Sequence, residues 1–174
     1  YGIAWLHMLI GRFHEAMTEL SECERTYRES GDPRGEALCV LDRAEVYLNL
    51  GLVHDAHRAA REAKKKFATL GLRYETAKAS LFLGQAALQL GNSSEAARLL
   101  AFARRRFRIE RNWGFVGVAI LTEAELATSV RMQAQRLSHA ERQFSRAQLP
   151  YWRALCDLQQ ARRFQKYASI KNLS

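Results

Sequence analysis

Ile10-Gly11, Leu50-Gly51 and Leu90-Gly91 recur 40 residues apart, and each is followed four residues on by an acid-alanine pair: Glu15-Ala16, Asp55-Ala56 and Glu95-Ala96. A fixed period of this length constrains the architecture ahead of any local propensity. A unit this small cannot bury its own apolar face and must lay it against its neighbours, so the chain reads as a stacked array.

Two helical stretches alternate within the period. The first, helix A, carries Ala37, Leu41, Ala44 and Leu48 in one unit and Ala77, Leu81, Gly84 and Leu88 in the next, at spacings of three and four. The second, helix B, carries Ala16, Leu20, Cys23 and Tyr27, then Ala56, Ala60, Ala63 and Phe67, then Ala96, Leu100, Ala103 and Phe107. Small residues at Ala44/Gly84 and Ala56/Ala96 mark close helix approach, where a bulky side chain would force the pair apart. Tyr27, Phe67 and Phe107 are expected to plug the space between units. Gly31-Asp32-Pro33 supplies a helix stop, an N-cap acid and a first-turn proline, and Asn92-Ser93-Ser94-Glu95 offers a capping oxygen with an acid behind it.

Beyond Ala134 the register shortens to 37, with Leu137, Ala140 and Phe144 matching Leu100, Ala103 and Phe107. Three residues are lost near 127–134, and Arg131 stands where the turn glycine is expected. The spacing predicts units at about 1–31, 32–71, 72–111 and 112–148, a capping helix over 150–167 starting at Pro150, and a frayed tail over 168–174. Arg162, Arg163 and Lys166 would solvate the cap's outer face.

The chain has 174 residues, 48% hydrophobic and 26% charged, with 2 prolines and 10 glycines. That is the composition of a globular domain of long helices and short connections. No segment approaches the roughly 20 apolar residues of a membrane span, and Tyr1-Gly2-Ile3-Ala4-Trp5 lacks the features of a secretory leader. The opening inside an apolar helical pattern, without an initiator Met, reads as a piece of a longer protein. Cys23, Cys39 and Cys156 are isolated within apolar patterns, which favours reduced thiols in a cytoplasmic setting and core packing over nucleophilic roles.

The run Leu83-Gly84-Gln85-Ala86-Ala87-Leu88-Gln89-Leu90-Gly91-Asn92-Ser93-Ser94-Glu95-Ala96 resembles the core of a tetratricopeptide repeat, with Leu-Gly in helix A, a glycine turn and Glu-Ala opening helix B. Arg43-Ala44 replaces Leu-Gly in the second unit, most units lack the closing proline, and the period exceeds the family's usual length of about 34. Longer helices would take up the difference. Repeats of this extended kind are similar to those in large bacterial signalling proteins, including arrays joined to caspase-like CHAT protease domains and the sensor arrays of some transcription activators. The resemblance implies an all-α solenoid of antiparallel helix pairs, wound as a right-handed superhelix and closed by the C-terminal capping helix.

The resemblance also implies that helix A lines a concave groove. Groove positions then fall on Trp5 and Met8; on Leu41, Glu45, Leu48 and Asn49; on Leu81, Gln85, Leu88 and Gln89; and on Leu121, Glu125 and Thr128. This mixed apolar and acidic row suits an amphipathic helix or extended peptide carrying basic residues, from another protein or from another domain of the same chain. The leucines have an alternative role in packing between units. Family members that grip acidic chaperone termini use Lys and Asn where this chain has Leu41/Leu81 and Glu45/Gln85, so a carboxylate clamp is not expected.

A second candidate surface is basic. Lys64, Lys65 and Lys66 recur in register as Arg104, Arg105 and Arg106, and Arg58 matches Arg98. With a net charge of +9 and a pI of about 9.9, nucleic acid or another anionic surface is an alternative partner. The competing account is that cations near helix C-termini complement the helix dipole. No phosphate-cradling glycine loop, HExxH, CxxC or GxSxG motif is present. His54 and His57 lack further ligands at metal spacing. Trp113 and Trp152 fit inter-unit packing better than a ligand cage. The chain is therefore expected to be a non-enzymatic scaffold needing no metal or cofactor, or alternatively a regulatory segment of an enzyme whose catalytic domain lies elsewhere.

Overall fold

A computed structural model describes the backbone of residues 1–171 and the side chains of residues 1–161. Arg162, Arg163 and Lys166 therefore lie outside the described side chains, and residues 172–174 of the expected tail lie outside the described residues. Among the described residues the fold is all-α: α1 (Gly2–Leu9), α2 (Phe13–Glu29), α3 (Pro33–Asn49), α4 (Val53–Thr69), α5 (Arg73–Gln89), α6 (Ser93–Ile109), α7 (Trp113–Glu125), α8 (Val130–Arg146) and α9 (Pro150–Lys171). The odd-numbered helices α1 to α7 are the A helices, and α2, α4, α6 and α8 are the B helices. The capping helix runs on to Lys171, through residues expected to fray.

The turns explain the period. Gly11, Gly31, Gly51, Gly71 and Gly91 all have φ between 70° and 79°, so the beat is 20 residues and the 40-residue unit is two equal halves. At each of these helix ends the glycine N–H reaches the carbonyl three residues back, and the next N–H reaches the carbonyl five back, as in Gly51 to Leu48 (3.2 Å) and Leu52 to Tyr47 (2.9 Å). This is the Schellman closure, which needs a left-handed residue that glycine supplies without Cβ strain. Arg111 (φ 56°) and Gln148 (φ 57°) take the same role without being glycine. Helices α2 to α6 are each 17 residues long, which accounts for a unit longer than the standard repeat.

Helix starts follow the expected capping. Asp32 accepts from the N–H groups of Arg34 (3.0 Å) and Gly35 (2.9 Å) ahead of Pro33. Asn92 accepts from the Glu95 N–H at 3.3 Å while its own amide donates to the Glu95 carboxylate at 2.9 Å. The register slip comes from the last turn of α7, which is 13 residues long. Arg131 does not occupy a turn. It lies in the first turn of α8, and Ser129 caps that helix by accepting from Met132 N–H.

The chain divides into two compact units, Tyr1–Ala103 and the residues from Arg104 on, with the division inside α6. Within the first, α1 packs on α2, α2 on α3, α3 on α4 and α4 on α5, and α3 also meets α5. Ala44, Ala56 and Ala96 are fully buried. A Cβ on Gly84 would stand 3.0 Å from Leu100, so this A–B contact is already tight. Within the second unit α7 packs on α8 and α8 on α9. Phe144 is fully buried, stacks on Trp152 with ring centroids 5.5 Å apart, and lies where a Cβ on Gly117 would be 2.5 Å away. The place of Gly117 is taken by alanine at the matching Ala37 and Ala77.

Candidate partner-binding groove

Within the first unit, polar side chains link α1 to α3 and α3 to α5. Asp42 and Glu45 lie three residues apart on α3 and so share one face. The Tyr1 hydroxyl, at the N-terminal end of α1, donates to the Asp42 carboxylate. From α5, Lys78 Nζ stands 4.0 Å from Glu45 Oε2 and 5.6 Å from the centroid of the Phe82 ring. Asn49 closes this side of α3 by donating to the Glu45 carbonyl at 2.9 Å.

Asp42 is 3% exposed, and burial raises its pKa above the usual carboxylate range against the opposing effects of the Tyr1 hydrogen bond and Lys78. Burial likewise raises Glu45, with Asp42 adding to the shift and Lys78 opposing it. Both carboxylates are thus incompletely compensated for lost water. Raised acid pKa values mean that the folded state binds protons more readily than the unfolded one. Their ionisation weakens the fold as pH rises, and stability returns as pH falls through the folded pKa values. Asp42→Asn keeps an acceptor for Tyr1 and removes the buried charge. Its melting temperature is expected to exceed that of the parent chain at pH 7, with the gap narrowing towards pH 4 in thermal unfolding followed by circular dichroism. A lower melting temperature at pH 7 would show that the carboxylate is adequately compensated.

The structure corrects part of the expected groove. Leu41 and Leu81 are fully buried and Leu121 is 6% exposed, so these leucines fill the space between helices and offer nothing to a partner. Met8 packs against the cluster of Ala4, Ala16, Leu20, Cys39 and Val46. Leu48, Leu88 and Gln85 are half-buried, while Asn49 and Gln89 are exposed. Trp5 is 52% exposed. In the second unit Glu125 is exposed with its pKa raised by desolvation, and Thr128 lies in the turn after α7, off the helix to which it was assigned. Asp42 and Lys78 were not among the expected residues. Their signal was a charge where the matching positions are Phe82 and Thr122, or Leu38 and Val118.

Half of the basic row is committed to ion pairs. Lys66 binds Glu36 at 2.8 Å, Arg58 binds Asp55 at 2.5 Å and Arg104 binds Glu123 at 3.0 Å. Arg106 pairs with Glu110. Lys65, Arg98 and Arg105 are exposed and Lys64 is half-buried. His57 Nε2 stands 3.5 Å from Glu95 Oε2, His54 is exposed, and among the described residues no group of three or more His, Cys, Asp or Glu is placed to hold a metal ion. Trp113 lies under the Arg146 guanidinium at 3.6 Å and Trp152 on Phe144, which makes both packing residues. The cysteines are free. Burial pushes the Cys39 thiol up to about 12 and the Cys156 thiol up to about 11, the opposite of nucleophile activation.

Among the described residues no helix is long and apolar enough to cross a membrane. Comparison with protein-family models, curated proteins and solved structures finds no match for this chain.

Proposed function

We propose that this chain is a protein-interaction scaffold of tetratricopeptide-like helix pairs, and that the open face of α1, α3 and α5 takes a basic amphipathic helix or extended peptide. The observation that carries this reading is the half-buried carboxylate of Glu45, 4.0 Å from Lys78 Nζ, at the repeat position that Trp5 holds in α1 and beside the half-buried Leu48. A partner's lysine or arginine beside Glu45 would compensate charge that burial has left exposed to repulsion, and its apolar residues would cover the half-buried leucines. The buried, unactivated thiols fit a reducing compartment such as the cytoplasm. The anionic-surface reading is the weaker one, because Lys66, Arg58, Arg104 and Arg106 already have carboxylate partners.

A fluorescent synthetic helix of leucine and lysine, titrated across a salt series, separates the two. It is expected to bind the parent chain and to bind Glu45→Lys or Leu48→Asp about tenfold more weakly or worse, with Lys64→Glu and Lys65→Glu having little effect. Binding of an oligonucleotide that falls steeply with salt and is lost in Lys64→Glu and Lys65→Glu, with no binding of the basic helix, would reverse the assignment.

A further inference from the structure

Phe107 and Phe115 lie four residues either side of the left-handed turn residue Arg111, and their rings stack with centroids 4.9 Å apart. Phe144 and Trp152 lie four residues either side of Gln148 and stack at 5.5 Å. Tyr27 and Gly35 lie four residues either side of Gly31, and a Cβ on Gly35 would stand 2.5 Å from the Tyr27 ring. Where a B helix turns back into an A helix, residues equidistant from the turn therefore face one another. One helical turn deeper on the same faces, eight residues from the turn, the facing pair is small: Ala63/Ala79 on α4 and α5, and Ala140/Cys156 on α8 and α9, all fully buried. On α2 and α3 the pair at that place is Cys23 and Cys39. Cys39 is buried in the cluster with Ala16, Leu20 and Val46, and Cys23 packs against that cluster. The ion pair of Glu24 with Arg43, at 2.5 Å, holds the same register. Small residues at a helix crossing let the backbones approach closely, and a disulfide needs that approach, with Cα atoms about 4.4–6.8 Å apart.

We propose that Cys23 and Cys39 are a redox pair, which a peroxide converts to an intramolecular disulfide that staples α2 to α3. Burial, and then the neighbouring Cys23 sulfur, push the Cys39 thiol up to about 12, so Cys39 stays protonated and Cys23 supplies the attacking thiolate. That thiolate attacks one peroxide oxygen and the O–O bond breaks. Cys23 becomes a sulfenic acid, and the departing hydroxide takes up a proton as water. The Cys39 sulfur then attacks the sulfenyl sulfur of Cys23, the S–S bond forms, the S–O bond breaks, and the hydroxyl leaves with the Cys39 proton as a second water. Two thiols and one peroxide give one disulfide and two waters, the two electrons passing from sulfur to peroxide. Thiol reductants reverse the bond, as they do for transient, redox-sensing disulfides in a reducing compartment. Cys156 holds the matching place on α9 but faces Ala140, so it is the internal control.

The test treats the full chain with hydrogen peroxide, alkylates the remaining thiols under denaturing conditions and maps the peptides by mass spectrometry without reduction. A Cys23–Cys39 cross-link is expected, two hydrogens lighter than the free peptides, with Cys156 alkylated and dithiothreitol restoring all three thiols. The oxidised chain is expected to melt about 5 °C or more above the reduced one, because the bridge closes a loop in the unfolded chain. Cys39→Ala, with the residue type that Ala79 has at the matching place, should fold, gain nothing in melting temperature, and carry Cys23 on to the sulfinic acid. Sulfinic acid at Cys23 of the parent chain, with Cys39 alkylated, would overturn the proposal. So would a cross-link to Cys156 or between two chains, or three free thiols after peroxide that oxidises free cysteine. A bridged chain that melts below the reduced one would also overturn it, by showing that the helices must shift to form the bond.

Discussion

Replacing Phe67 with alanine is expected to destabilise the first unit by about 3–5 kcal/mol, a large part of the roughly 5–15 kcal/mol that holds a domain of this kind together. The ring is fully buried near the end of α4, and its own carbonyl accepts from Leu72 N–H at 3.0 Å in the closing turn. The vacated volume therefore sits against a fixed backbone and cannot easily collapse. Phe107 occupies the matching place and stacks on Phe115 with centroids 4.9 Å apart. Tyr27 is only half-buried, so Tyr27→Ala should cost less than Phe67→Ala. Urea denaturation followed by circular dichroism measures both. A loss below about 1 kcal/mol for Phe67→Ala would mean that the aromatic positions do not plug the array.

Leu41→Ala is the second large effect, expected at about 2–5 kcal/mol because the side chain is wholly enclosed. It also separates packing from function. If Leu41 fills space between helices, the folded fraction of the variant should bind a basic helix within about twofold of the parent chain. Leu48→Asp, about two turns further along α3, should do the reverse and spare stability more than binding. A variant at Leu41 that keeps its stability and loses binding would restore that leucine to the groove.

The stacked helix pairs were legible because several kinds of signal fell on one period: turn glycines, small residues at close approaches and aromatics between units. The half-period was not. Gly31 and Gly71 carry it as plainly as Gly51 does, but Arg111 adopts the same left-handed turn without a glycine, and the acid-alanine pairs mark only alternate turns. Spacing fixed the side of each helix on which a residue lies but not its depth, so Leu41 and Glu45 looked like neighbours in a groove when one is enclosed and the other reaches the open face. Asp42 was missed for the complementary reason. An acid within an apolar stripe reads as surface until a partner such as Tyr1, 41 residues away, is brought beside it. The pairs Lys66–Glu36 and Arg104–Glu123 likewise depend on which helices become neighbours, so a matched basic row looked more available than it is.

In the proposed function, the face of α1, α3 and α5 that carries Glu45 recognises a basic helix. Chemical-shift mapping of the chain titrated with a synthetic leucine-lysine helix tests this most directly. Saturable perturbations are expected at Glu45, Leu48, Asn49, Lys78 and Gln89, and Glu45→Lys is expected to abolish them. Perturbations confined to the B helices, or a leucine-glutamate helix binding the same face as tightly, would contradict it.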